Sequence, residues 1–212
     1  MTRLFQYVGL ALVALLIYTS LGFDAQAQQP TDAPLLQQLR TATDQTVRVS
    51  YHKATGKVRF IGTAPNQPIA RPAGLAASAS PQQAADAFLA TYGALFGATD
   101  PAQELRANTP RSVDRGRAVV RYQQLYRGVP VLGGELNIQL TADNQVLAAN
   151  GELQPAIALD VAPAIVAAAA SQAALARVAK NYGYTSSALS ASTPELWVYA
   201  PALLGGVSAL NR

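Results

Sequence analysis

Three strand candidates joined by short turn sequences, the first two with alternating side chains, constrain this chain more than any other feature. Over residues 117–126, Ala118, Val120, Tyr122, Gln124 and Tyr126 fall on one side, and Val119, Arg121, Gln123 and Leu125 on the other. Over 135–141, Leu136, Ile138 and Leu140 alternate with Glu135, Asn137 and Gln139. Successive side chains of a strand point to opposite faces, so each stretch reads as a strand with one face turned to a core. Gly128-Val129-Pro130 reads as the turn between the first two, and Asp143-Asn144 as the turn before a third strand over 145–153. Short turns between strands imply an antiparallel meander.

Upstream, Val47, Val49 and Tyr51 alternate with Arg48, Ser50 and His52, and Val58, Phe60 and Ile61 follow the turn Lys53-Ala54-Thr55-Gly56. That pattern predicts a hairpin. Residues 62–80, rich in Gly, Pro, Ala and Ser, predict a loop. Ser80-Pro81-Gln82-Gln83 then opens a helix: a capping hydroxyl, proline at the first helical position and glutamine at the third. Ala84, Ala85, Phe88, Leu89, Tyr92, Leu95 and Phe96 form its apolar stripe, and Gly97 is its stop. Residues 98–116, with Pro101, Pro110 and Gly116, read as a second loop, and residues 28–45 as a loose segment with one short helix near 35–40.

After Pro155 the pattern changes. Residues 163–182 predict an alanine-rich helix burying Ile165, Val166, Ala169, Leu175, Val178 and Tyr182, stopped at Asn181 and Gly183. A strand over 195–199 follows Pro194, and Gly205-Gly206 turns the chain into a returning strand over 207–210. That hairpin is barely begun where the sequence stops, so further residues are expected to complete its sheet. The fold class expected is α+β: antiparallel sheets each packed against a helix, in two small tandem units. The boundaries are 1–27 for an export signal, 28–45 for a flexible segment, 46–155 for the first unit and 160–212 for the second, apparently truncated.

Arg3, the apolar run over 8–17 and the small residues Ala25 and Ala27 around Gln26 give the export-signal pattern, with cleavage after Ala27. About 20 apolar residues span a bilayer. The run over 4–23 therefore leaves an uncleaved anchor as the alternative, diluted by Gln6, Thr19, Ser20 and Gly22. The chain has no cysteine. A lipid anchor on cysteine is thereby excluded, and the exported fold must stand on packing without disulfides.

The same composition restricts chemistry. With a single histidine, His52, and no cysteine, a helical HExxH zinc site or a thiol nucleophile is beyond this sequence. A Ser-His-Asp relay would have to use His52, which reads as a surface residue beside a turn. Gly133-Gly134 and Gly205-Gly206 lack the context of a phosphate loop. Glu135 and Glu152 sit on facing strands and read as a surface carboxylate pair rather than an acid–base couple. The net charge of +4 includes a cluster of Arg111, Arg115, Arg117 and Arg121 around Asp114, read as a solvated hairpin rim rather than a nucleic-acid face. No catalytic, metal or cofactor-binding residues, no cofactor and no nucleic-acid partner are expected.

One segment is distinctive: Arg121-Tyr122-Gln123-Gln124-Leu125-Tyr126-Arg127-Gly128-Val129-Pro130-Val131-Leu132-Gly133-Gly134-Glu135-Leu136, followed by Asn150-Gly151-Glu152-Leu153. It resembles the fungalysin/thermolysin propeptide motif of the prosequences of thermolysin-like zinc metalloproteases, with Leu132 where that family commonly has an aromatic. The helix over 163–182 and Pro194-Glu195-Leu196-Trp197-Val198-Tyr199 resemble the PepSY module that follows in such prosequences. The resemblance implies a non-catalytic folding chaperone and inhibitor whose partner is a metalloprotease catalytic domain absent from this chain. It makes Arg121, Tyr122, Gln123, Gln124, Tyr126, Gly128, Val129, Pro130, Val131, Gly133, Gly134, Glu135, Asn150 and Gly151 the motif or partner-contact residues. A stand-alone secreted or envelope binding module, and the remnant of a broken protease precursor, stay open as alternatives. Membrane contact is expected only through the signal segment, if it is left uncleaved.

Overall fold

The alternating segments pair as their turns dictate in a computed structural model that describes residues 32–204, apart from Ala73 and Ala77. The export segment with Ala25 and Ala27, and the returning strand over 207–210, lie outside the described residues. The elements run α1 (Asp32–Ala42), β1 (Arg48–Tyr51), β2 (Val58–Gly62), α2 (Pro81–Phe96), α3 (Pro101–Glu104), β3 (Leu105–Ala107), β4 (Arg111–Ser112), β5 (Ala118–Tyr126), β6 (Val129–Leu140), β7 (Val146–Glu152), α4 (Ala167–Tyr182) and β8 (Val198–Tyr199). The fold is α+β. The sheet order is β1-β2-β7-β6-β5-β3, antiparallel throughout, with β4 also on β5 and β8 on β6.

Helix α2 begins and ends as its sequence dictates. The Ser80 hydroxyl accepts from Gln83 N–H, Gln83 accepts from Ser80 N–H, and Gly97 closes the helix at φ 103°. All seven residues of its apolar stripe are buried, against Val120, Tyr122, Leu136, Ile138 and Ala149 of the sheet.

Several expectations change. The segment expected to be loose over 28–45 holds an 11-residue helix, α1, whose Leu36 and Leu39 are buried in the main core. Asp32 at its start pairs with Lys57 at 3.0 Å, both nearly buried. The loop expected over 98–116 contains α3, β3 and β4, because β5 has a free edge and both short strands pair with it. The turn after β5 is Arg127-Gly128, at φ 50° and 82°, not Gly128-Val129-Pro130. Positive φ at both central residues is the two-residue hairpin geometry that follows strand twist. Val129 and Pro130 therefore already pair with Tyr126 and Leu125, and β6 is one strand rather than a corner followed by a strand.

The second unit departs furthest. Helix α4 starts at Ala167 rather than 163 and ends on Gly183 at φ 71°. Of its residues only Ala179 is buried, while Ile165, Val166, Val178 and Tyr182, expected inside, are exposed. Its alanine content supports the helix locally, and among the described residues Ala179 alone of its side chains is buried. The strand expected over 195–199 shortens to β8, which builds no sheet of its own among the described residues and runs parallel to β6 at Val131 and Leu132. β7 stops pairing with β6 at Glu135, and that leaves this stretch of edge free. Val131, Val198, Ala200 and Leu203 form a small cluster separate from the main core.

Candidate functional site

Between β5 and β6 the register jumps from Gln123↔Glu135 to Leu125↔Pro130, so residues 131–134 of β6 bulge out opposite Gln124. Two glutamines hold the bulge. Gln123 Nε2 donates to the carbonyls of Val131 (2.7 Å), Gly134 (3.1 Å) and Gln124 (3.1 Å). Gln124 acts as a strand substitute: its Nε2 donates to Gln154 O at 2.8 Å and its Oε1 accepts from Gln154 N–H at 2.9 Å. Both side chains are buried. Gly134 lies so close to Gln124 that a Cβ there would overlap its side chain. Gly151, at φ 145°, runs against the Glu135 carbonyl, where a Cβ has no room.

Tyr122 is buried in the core and donates its phenolic hydrogen to Asp86 Oδ1 at 2.6 Å. Burial, the hydrogen bond to Asp86 and its charge hold the phenol far above the ordinary tyrosine range. At the hairpin tip, Tyr126 Oη accepts from Leu159 N–H at 3.3 Å, and the Arg127 guanidinium lies over its ring. Tyr122, Gln123, Gln124, Val131 and Gly134 are thus scaffold, and Tyr126, Gly128, Val129 and Pro130 build the tip.

The remaining motif residues meet on the sheet face opposite the helices. Glu135, Asn150, Gly151 and Gly133 line one shallow depression of about 330 Å3, together with Arg59, Phe60, Asn137 and Glu152. Arg121 borders it, donating from Nε to Asn137 Oδ1 and pairing with Glu135, each at 3.4 Å. Register places Asn137 opposite Asn150 and Glu135 opposite Glu152. Two carboxylates directly opposite each other repel, and each has a cation beside it. Arg59 holds Glu152 at 2.8 Å, and His52 Nε2 approaches it at 3.4 Å.

His52 is not the surface residue expected, its side chain being only 14% exposed. Its Nδ1 accepts from Thr55 N–H at 3.3 Å, which assigns the ring proton to Nε2, toward Glu152. The Asn150 amide makes no hydrogen bond among the described residues. No group of three or more His, Cys, Asp or Glu side chains gathers among the described residues in a way that would hold a metal ion. The chemistry on offer is hydrogen bonding and charge pairing. Arg59, Phe60 and Asn137 were missed as site residues by sequence reasoning. For Asn137 the signal was parity, since it shares the outward side of its strand with Glu135. Arg59 and Phe60 are consecutive in β2, and both reach the depression because the β1–β2 register shifts there, which parity does not foresee.

Residues 103–153 match the Fungalysin/Thermolysin Propeptide Motif. The chain carries a propeptide motif. The match runs from the end of α3 through β7 to buried Leu153, so it takes in the bulge, both glutamines and the β6–β7 half of the depression. A comparison with curated proteins finds no match. No helix among the described residues is long and apolar enough to cross a membrane.

Proposed function

We propose that this chain is an exported, non-catalytic propeptide-like module that assists the folding of a thermolysin-like metalloprotease domain and inhibits it. The observation that carries this reading is the propeptide motif over residues 103–153. The geometry supports it: buried Gln123 and Gln124 give their hydrogen bonds to the bulge and to the strand end beside it, and the motif's outward residues gather on a face left open among the described residues. A rigid scaffold with an unpartnered polar surface suits a protein contact better than catalysis.

The test adds the purified chain over residues 28–212 to a thermolysin-like catalytic domain freed of its own prosequence. Refolding yield after denaturant dilution is expected to rise severalfold, and hydrolysis of a fluorogenic peptide to fall with added chain. Unchanged yield together with unchanged hydrolysis overturns the reading.

A further inference from the structure

The register that builds the open face also sorts its charges. Arg121 and Asn137 face the same way, as do Glu135, Glu152, Asn137 and Asn150. Following the same pairings outward, Arg48 of β1 lies on this face through Gly62 and Ala148, Arg106 of β3 through Gln123, and Arg111 of β4 through Val119. With Arg59 and Arg121 the face carries five arginines against two glutamates, while the whole chain is only +4. The distribution is ordered. Arg48, Arg106 and Arg111 are exposed at the two edges and make no ion pair among the described residues. The glutamates at the centre are already paired, and the Asn150 amide beside them makes no hydrogen bond among the described residues. The helix layer on the other side carries the exposed Asp86 and Asp100.

We infer that this open face is the docking surface of the module, and that its occupant is a folded protein whose matching surface is acidic at its margins and neutral, with amide or hydroxyl groups, at its centre. This rests on the proposed function, which makes that protein the protease domain. Two arguments favour a protein surface. First, β1 and β3 are separated by five interstrand gaps of ~4.8 Å, about 24 Å in all, wider than one extended peptide. Secondly, a uniform polyanion laid across the face would meet Glu135 and Glu152 at its centre, which repel it. Unpaired edge cations steer association and set its salt dependence, while the central groups set register.

The experiment measures inhibition of the thermolysin-like catalytic domain by the full chain at low, physiological and high salt. It compares wild type with Arg48→Glu/Arg106→Glu, with Arg48→Ala/Arg106→Ala in case the reversal disturbs folding, and with Arg40→Glu on the opposite layer as control. Circular dichroism checks each fold. The reversal is expected to weaken inhibition at least 10-fold and to flatten its salt dependence, with the alanine pair in between and Arg40→Glu within twofold of wild type. Inhibition that survives in both edge variants overturns this surface and leaves the proposed function standing. Wild type that neither binds nor inhibits the domain overturns the proposed function and this occupant with it. Retention of the chain on heparin at physiological salt, lost in the edge variants, overturns the protein occupant in favour of a polyanion.

Discussion

Tyr122 shows how a motif residue serves the fold. Its ring fills the core beneath α2, and its hydroxyl ties β5 to Asp86 of that helix. The folded phenol keeps its proton to higher pH than an unfolded tyrosine, which ionises near 10. Its stabilising contribution is therefore complete below pH 10 and declines as pH rises beyond it. Tyr92, also raised by burial, adds to the same trend. Tyr122→Phe is expected to cost about 1–2 kcal/mol at neutral pH, at the modest end because Asp86 is exposed. It should also flatten part of the alkaline fall in stability, as followed by urea denaturation from pH 8 to 11. Strand parity put Tyr122 on the same side as Ala118 and Val120 from sequence alone, without saying that this side faces the core. The bond to Asp86, 36 residues away, was out of reach of any local pattern.

At the scale of elements, the molecule divides into parts that support one another unequally. Helices α1 and α2 and strands β1, β2, β3, β5, β6 and β7 share one core, whereas the segment that carries α4 and β8 is attached through the small cluster of Val131, Val198, Ala200 and Leu203. Among the described residues the large exposed apolar side chains, Leu132 apart, fall between Leu159 and Leu204. A chain ending at residue 157 is thus expected to unfold cooperatively in a thermal melt, within a few degrees of the full chain. A broad, non-cooperative melt would show that the C-terminal segment completes the core. The capped helix α2 and the two-residue turn geometry near Gly128 rest on near-neighbour chemistry, and α2 was legible for that reason. The exposure of α4 was not, because an amphipathic pattern tells which face is apolar and nothing about whether a partner covers it.

For the whole molecule, α1 is tied both to the β1–β2 hairpin and to the main core. Its Asp32 meets Lys57 at the end of the β1–β2 hairpin, and Lys57 Nζ also approaches the Ala94 carbonyl of α2 at 3.5 Å. Breaking a buried pair from one side removes the opposite charge from its partner, at a cost of up to about 3–5 kcal/mol. Asp32→Ala is expected to destabilise by about that amount, and Asp32→Leu with Lys57→Met by clearly less, as measured by denaturant unfolding. Equal losses in the single and double variants would show that the ion pair does not carry the contact.

By itself the sequence determined the α+β class, the alternation of β5 and β6, the ends of α2 and the propeptide motif, because alternation, caps and turns act between residues a few positions apart. Only the tertiary structure decided the bulge over residues 131–134, the docking of α1, the parallel seat of β8 and the gathering of distant arginines on one open face. The bulge and α1 are held by particular side-chain contacts, Gln123 on residues 131–134 and Asp32 on Lys57, and the face by register across strands far apart in the chain, where a shift of one residue would send every side chain to the opposite face.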